Sequence, residues 1–174
     1  MDDQAVAGHV EAVLMTVDRP ITTAKIAEAI GLESAKPVSA AIDELNAQYE
    51  QTHRSFRIEK VANGYQILTL PAFKDSLAAL HKTRSDSKLS PAALETLAIV
   101  AYRQPVLRVD IETIRGVACG EVLRSLMDRN LDKIVGRADE IGRPMLYGTT
   151  KFFLEVFGLS SLKDLPKAEE LIKP

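Results

Sequence analysis

The chain has 174 residues, 22 Lys plus Arg against 24 Asp plus Glu, one Cys, no Trp and 46% hydrophobic residues, an ordinary soluble globular composition. A net charge of −2 argues against a protein devoted to neutralising a duplex, which commonly takes about 6–10 cationic contacts, and the lone Cys119 closes no intrachain disulfide and builds no cysteine-based metal site. Met1-Asp2-Asp3-Gln4 lacks the basic start of a signal peptide and no apolar run nears the ~20 residues of a membrane span, so a cytoplasmic protein without membrane contact is expected.

In chain order, Val10, Val13, Leu14 and Val17 share one helical face and predict a helix over 5–17. Further helices are predicted over 23–30 and 37–49, followed by strands over 56–61 and 65–70 around the turn signal Asn63-Gly64. An extra helix over 71–82 leads to a polar linker, 83–89, of sequence TRSDSKL. Ser90 is suited to cap the next helix, 91–102, which Pro91 opens without losing a helical hydrogen bond. Helices over 109–115 and 121–130, strands over 133–137 and 145–147, and a closing helix over 150–157 complete the pattern. Gly31 and Gly116 stand where a helix stops and turns.

The sequence matches itself at an offset of 85. Pro20-Ile21 through Ile26 to Gly31-Leu32 lies over Pro105-Val106 through Ile111 to Gly116-Val117, with similar apolar helices on either side. Three helices and a hairpin, twice over, is the winged-helix form of the helix-turn-helix. The expected fold is therefore mainly α with small β wings: a first winged-helix domain over 1–82, the linker 83–89, a second domain over 90–160, and a partly disordered tail over 161–174.

Little in the chain signals catalysis. Neither G-x-x-x-x-G-K nor G-x-G-x-x-G occurs; His9, His53 and His81 are scattered without ligand spacing; and Cys119, though near a helix start, reads best as a small buried residue. No catalytic residue, metal or cofactor is expected. The DNA reading usual for winged helices is weak too: the segment 37–49 carries Asp43 and Glu44 and no cation, and 121–130 is neutral. Residues 1–82 hold 8 basic and 11 acidic side chains, residues 83–174 hold 14 and 13, so neither half has an electrostatic footprint. A tandem winged-helix transcriptional regulator stays as the alternative, with Arg54, Arg57, Arg124 and Arg129 as its readers. Protein recognition fits the apolar pattern better. The segment 90–103 is apolar on most faces and so must be buried on most faces, and 142–150 (GRPMLYGTT) combines Arg and Tyr, common interface anchors. A Tyr closing a small core would look the same, and the Val10–Val17 stripe suits core or dimer packing equally.

At these residues the sequence resembles the segregation and condensation protein B family. The carrying segments are LSPAALETLAIVAYRQPV (89–106), IETIRGV (111–117), VLRSL (122–126), IVGR (134–137), GRPMLYGTT (142–150), FFLEVFGL (152–159) and LKDLP (162–166). Asp132 departs from the pattern, which usually has an apolar residue there. The resemblance implies a non-enzymatic, nucleoid-associated homodimer that binds the kleisin subunit and, through it, the structural-maintenance-of-chromosomes ATPase, in chromosome condensation and segregation. DNA would be touched only indirectly or weakly. The expected kleisin-binding residues are Tyr102, Arg103, Arg143, Tyr147, Phe153 and Leu159 in the second domain; Val10, Val13, Leu14 and Val17 are expected to serve dimerisation in the first.

Overall fold

The computed structural model describes residues 3–80 and 88–167. Most of the predicted linker and the end of the tail lie outside them. The chain forms two compact units, each a winged helix. The first contains α1 (Asp3–Thr16), α2 (Thr23–Ala29), α3 (Lys36–Gln51), β1 (Phe56–Val61), β2 (Gly64–Thr69), a 3₁₀ turn at Pro71–Phe73 and α4 (Lys74–Leu80). It also includes Gly158–Ser161. The second contains α5 (Pro91–Arg103), β3 (Val106–Leu107), α6 (Arg108–Arg115), α7 (Gly120–Asp128), β4 (Asp132–Arg137), β5 (Met145–Thr149), α8 (Lys151–Phe157) and a 3₁₀ turn at Leu162–Asp164.

Local chemistry sets the helix limits. Thr22 Oγ1 accepts from the Lys25 N–H at 3.3 Å, and Ser90 Oγ accepts from the Ala93 N–H at 3.2 Å with Pro91 behind it. After α2 and α6 the chain turns at Gly31 and Gly116, with φ of +76° and +70°, left-handed values that cost glycine nothing. Val6, Val10, Leu14, Ile26, Val38, Ile42 and Leu45 then close the first core, with Tyr49 set edge-on to Phe56 at 5.0 Å. Val100, Val106, Ile111, Cys119, Leu123 and Tyr147 form a core cluster in the second. Burying each large aliphatic side chain stabilises by about 1.5–3 kcal/mol before entropy is counted.

Two strand features escape the sequence. Val106–Leu107 is a strand, giving the order β3-β5-β4, with Val106 opposite Tyr147. In the first unit Ile21 pairs with Tyr65 through two backbone hydrogen bonds of 2.7 and 3.0 Å. Ile21 and Val106 are repeat equivalents, so each unit ties the residue after its proline to a wing tyrosine. The first wing also turns one residue earlier than Asn63-Gly64 suggests. Val61 pairs with Gly64, and Ala62 and Asn63 take the left-handed turn positions at φ +49° and +61°. Gly64 is needed in the strand instead: a Cβ there would lie 3.0 Å from the backbone of Ile21.

Candidate functional site

The second wing carries a groove of about 310 Å³ between α6 and β5. Leu107 and Val109 beside α6, and Pro144, Met145 and Tyr147 of the wing, line it together with Arg108 and Glu112. Arg108 Nε donates to Glu112 Oε1 at 2.7 Å, and the Cys119 N–H donates to the same oxygen at 3.0 Å. That backbone N–H and the guanidinium hold the Glu112 carboxyl below its usual range. Its charge is thereby matched within the wall. Arg137 lies opposite Met145 in the strand register and donates from Nη1 to the Arg143 carbonyl at 3.0 Å. Arg143 has a left-handed backbone, φ +44°, which costs a non-glycine residue roughly 1 kcal/mol.

The expected partner residues do not form one patch. Arg143 and Tyr147 belong to the wing, and Tyr147 lines the groove while packing into the core cluster, only 9% exposed. Tyr102 is 46% exposed at the end of α5 and donates its hydroxyl proton to the Pro166 carbonyl at 2.6 Å, beside a separate depression lined by Leu162 and Leu165. Arg103 is the exposed last residue of α5. Phe153 is a core residue of α8, stacked on Phe157 at 4.8 Å. Leu159 belongs to the first unit rather than the second, its carbonyl accepting from the Ala62 N–H at 2.7 Å. Of the dimerisation set, Val10 and Leu14 are consumed by the first unit's own core, whereas Val13 and Val17 are half-buried at its margin beside exposed Met15. Sequence reasoning missed Leu107, Val109 and Met145, whose signal was a run of apolar residues at a turn and a strand end with no core position left for them.

The outward faces of the third helices, α3 and α7, are not cationic. The exposed residues of α3 include Asp43, Glu44 and Glu50 against Lys36, and those of α7 are Glu121, Arg124, Ser125 and Asp128. Arg57 is ion-paired with Glu59, and Arg124 with Glu121 at 3.4 Å. Cys119 is fully buried, and burial, then the nearby Glu112 carboxylate, pushes its thiol up, the reverse of what a nucleophile needs. Among the described residues no group of three His, Cys, Asp or Glu is placed to hold a metal ion, and no helix is long and apolar enough to cross a membrane.

Two winged helices in one chain, with third helices that turn acids outward and an apolar groove at the second wing, define a tandem winged-helix protein whose third helices carry no cationic face. The family model for segregation and condensation complex subunit ScpB matches residues 8–168, and the chain belongs to that family. It is 43% identical over 170 residues to the segregation and condensation protein B of Syntrophotalea carbinolica, covering 98% of this chain and 85% of that one. A crystal structure of ScpB from Mycobacterium tuberculosis is 31% identical, covers 91% of this chain and 98% of its own, and superposes with a TM-score of 0.44. A crystal structure of a dimer of the ScpB N-terminal domain complexed with ScpA peptide is 20% identical over 44% of this chain and 95% of its own, with a TM-score of 0.41.

Proposed function

We propose that the protein is a non-enzymatic subunit of the bacterial structural-maintenance-of-chromosomes complex. It pairs with a second copy through its first unit, binds the kleisin subunit through its second, and so contributes to chromosome condensation and segregation at the nucleoid, in the cytoplasm. The family match across both units, residues 8–168, carries this reading. Geometry supports it: the second wing offers an apolar groove beside arginines, and the outward faces of α3 and α7 oppose phosphate. On the first unit the dimer face is Val13, Val17 and Met15; on the second, Arg143 and the groove edge of Tyr147 bear the kleisin, with Tyr102 and Arg103 at a separate contact. Phe153 acts as core support rather than contact.

Sedimentation of the chain alone, then calorimetric titration with the purified kleisin subunit, tests both parts. A dimer that binds the kleisin in the micromolar range or tighter is expected. A monomer that ignores the kleisin overturns the reading. In a parallel titration, duplex DNA should bind weakly and without sequence preference; tight, sequence-selective binding with a steep salt slope belongs to a transcriptional regulator instead.

A further inference from the structure

We propose that the groove between α6 and β5 is the seat of an extended partner segment in which one large apolar side chain is flanked on one side by Asp or Glu residues, the apolar residue filling the groove and the carboxylates meeting Arg137 and Arg143. This rests on the kleisin-binding reading and names the site and the chemistry it selects. Three independent observations converge on it. The first is the exposed apolar lining: Val109 is 60% exposed and Met145 is also exposed, facing a cleft that Leu107 and Pro144 extend. Such surface is stabilised by being covered, at about 25 cal/mol per Å², and about 310 Å³ is at the small end of pockets that take a ligand, suited to one bulky side chain.

The second is the Tyr147 hydroxyl. The ring belongs to the core and Tyr147 also lines the groove, its hydroxyl making no hydrogen bond among the described residues while interacting electrostatically with the Arg108 guanidinium on the same lining. It is left to donate to a carbonyl of a segment lying across it, which an extended backbone supplies at alternate residues. The third is the placement of charge. Arg108 spends its guanidinium on Glu112, so that rim is neutral. Arg137 and Arg143 have no ion-pair partner among the described residues, and they sit at the Pro144–Met145 end. The wing's own acids, Asp139 and Glu140, lie beyond the last strand pair, in the turn. The groove is therefore largely apolar, with its one internal ion pair neutral, and cationic at one end, which sets the end at which the segment's carboxylates lie. A nucleic acid would use the arginines and leave the apolar walls uncovered, while Glu121 and Asp128 of α7 repelled its phosphates.

Calorimetry of the full-length chain with the purified kleisin subunit tests the assignment, using exposed positions whose replacement spares the core. Val109→Glu alone, and Arg137→Glu with Arg143→Glu together, should each weaken binding by about 30-fold or more, the range of a central interface residue. The arginine variant should also flatten the salt dependence. Val156→Glu, on the exposed side of α8, should bind like the wild type. If the wild type does not bind, the kleisin reading fails and this site with it. If the wild type binds and the groove variants, folded by circular dichroism, bind equally well, the groove assignment alone is overturned. Tight binding of a 20-base-pair duplex that the arginine variant abolishes, with kleisin affinity unchanged, would assign those arginines to nucleic acid and also overturn it.

Discussion

Asp132 opens β4 opposite Thr149, is only 2% exposed, and has no hydrogen-bond partner for either carboxylate oxygen. A buried, unpartnered carboxylate disfavours its own charge, and burial pushes its pKa up to about 7. Because the folded value lies above the unfolded one, the cost is absent in acid and appears as pH rises, reaching full size above about 7. Asp132→Val should therefore stabilise the second unit by on the order of 2–4 kcal/mol at pH 8 and by much less at pH 5. Thermal melts of both chains from pH 5 to 9 check this; parallel curves would show that Asp132 finds a partner in solution. Tyr147 calls for a different substitution. Its repeat counterpart in strand pairing is also a tyrosine, Tyr65, so the ring is first a wing-to-core wedge. Tyr147→Ala should cost about 3–5 kcal/mol of stability, as for other core aromatics, whereas Tyr147→Phe should keep the melting temperature and lose only what the hydroxyl gives to kleisin affinity. This is why the contact residues were only partly legible. Tyr, Phe and Arg mark both interfaces and small-domain cores, and residue type does not say which end of a side chain faces water. Tyr147 and Phe153 face mainly inward, while Val109 and Met145, which line the groove, are the exposed ones.

The strand β1 shows how an edge is closed by side chains. Its outward-facing groups fall at alternate residues, and at Ile58 both are taken by Asn46 of α3: Asn46 Nδ2 donates to the Ile58 carbonyl at 2.9 Å, and the Ile58 N–H donates to Asn46 Oδ1 at 2.8 Å. The amide acts as a one-residue strand, leaving no open template there. Asn46→Ala strands a partly buried donor and acceptor at once and should destabilise the first unit by about 1–3 kcal/mol; urea unfolding would check it as a lower midpoint. At this scale the sequence was informative where a pattern repeats over several residues. The helical spacing of Val10, Val13, Leu14 and Val17 and the paired stops at Gly31 and Gly116 located α1, α2 and α6 to within a residue or two, whereas the helix expected from residue 71 begins as a 3₁₀ turn and becomes α-helical only at Lys74. A strand of two residues, Val106–Leu107, has no periodicity to detect, and the single bridge at Ile21 has none at all. Gly64 misled for a related reason: Asn-Gly is a turn signal, but the glycine is there to let the Ile21 backbone approach.

The two units are similar in design but not in continuity. The first is completed by residues almost a hundred positions downstream: the Leu159 carbonyl accepts from the Ala62 N–H at 2.7 Å, the Ser160 carbonyl from the Asn63 N–H at 3.1 Å, and Ser160 Oγ donates to the Lys60 carbonyl at 2.7 Å. The bond at Lys60 continues the alternation begun at Ile58, and those at Ala62 and Asn63 extend the cover over the turn, so Asn46 and the 158–161 segment share the work of covering one side of the wing. An offset search cannot find such a clip, because it has no counterpart in the other repeat. Its geometry begins at Gly158, whose φ is +66° and where a Cβ would meet no atom within 4 Å. A substitution there consequently acts through backbone conformation rather than through collision. Gly158→Val should cost the clip about 1–2 kcal/mol, which corresponds to roughly 5- to 30-fold faster hydrogen exchange at the Ala62 and Asn63 amides if local opening controls it. The Ile111 amide, in the core of the second unit, provides the internal reference and should be unchanged. Faster exchange at all three sites would mean that the substitution unfolds the chain generally. Unchanged exchange at Ala62 and Asn63 would mean that the first unit holds its wing without the downstream segment, and Asn46 alone would then account for the closure of β1.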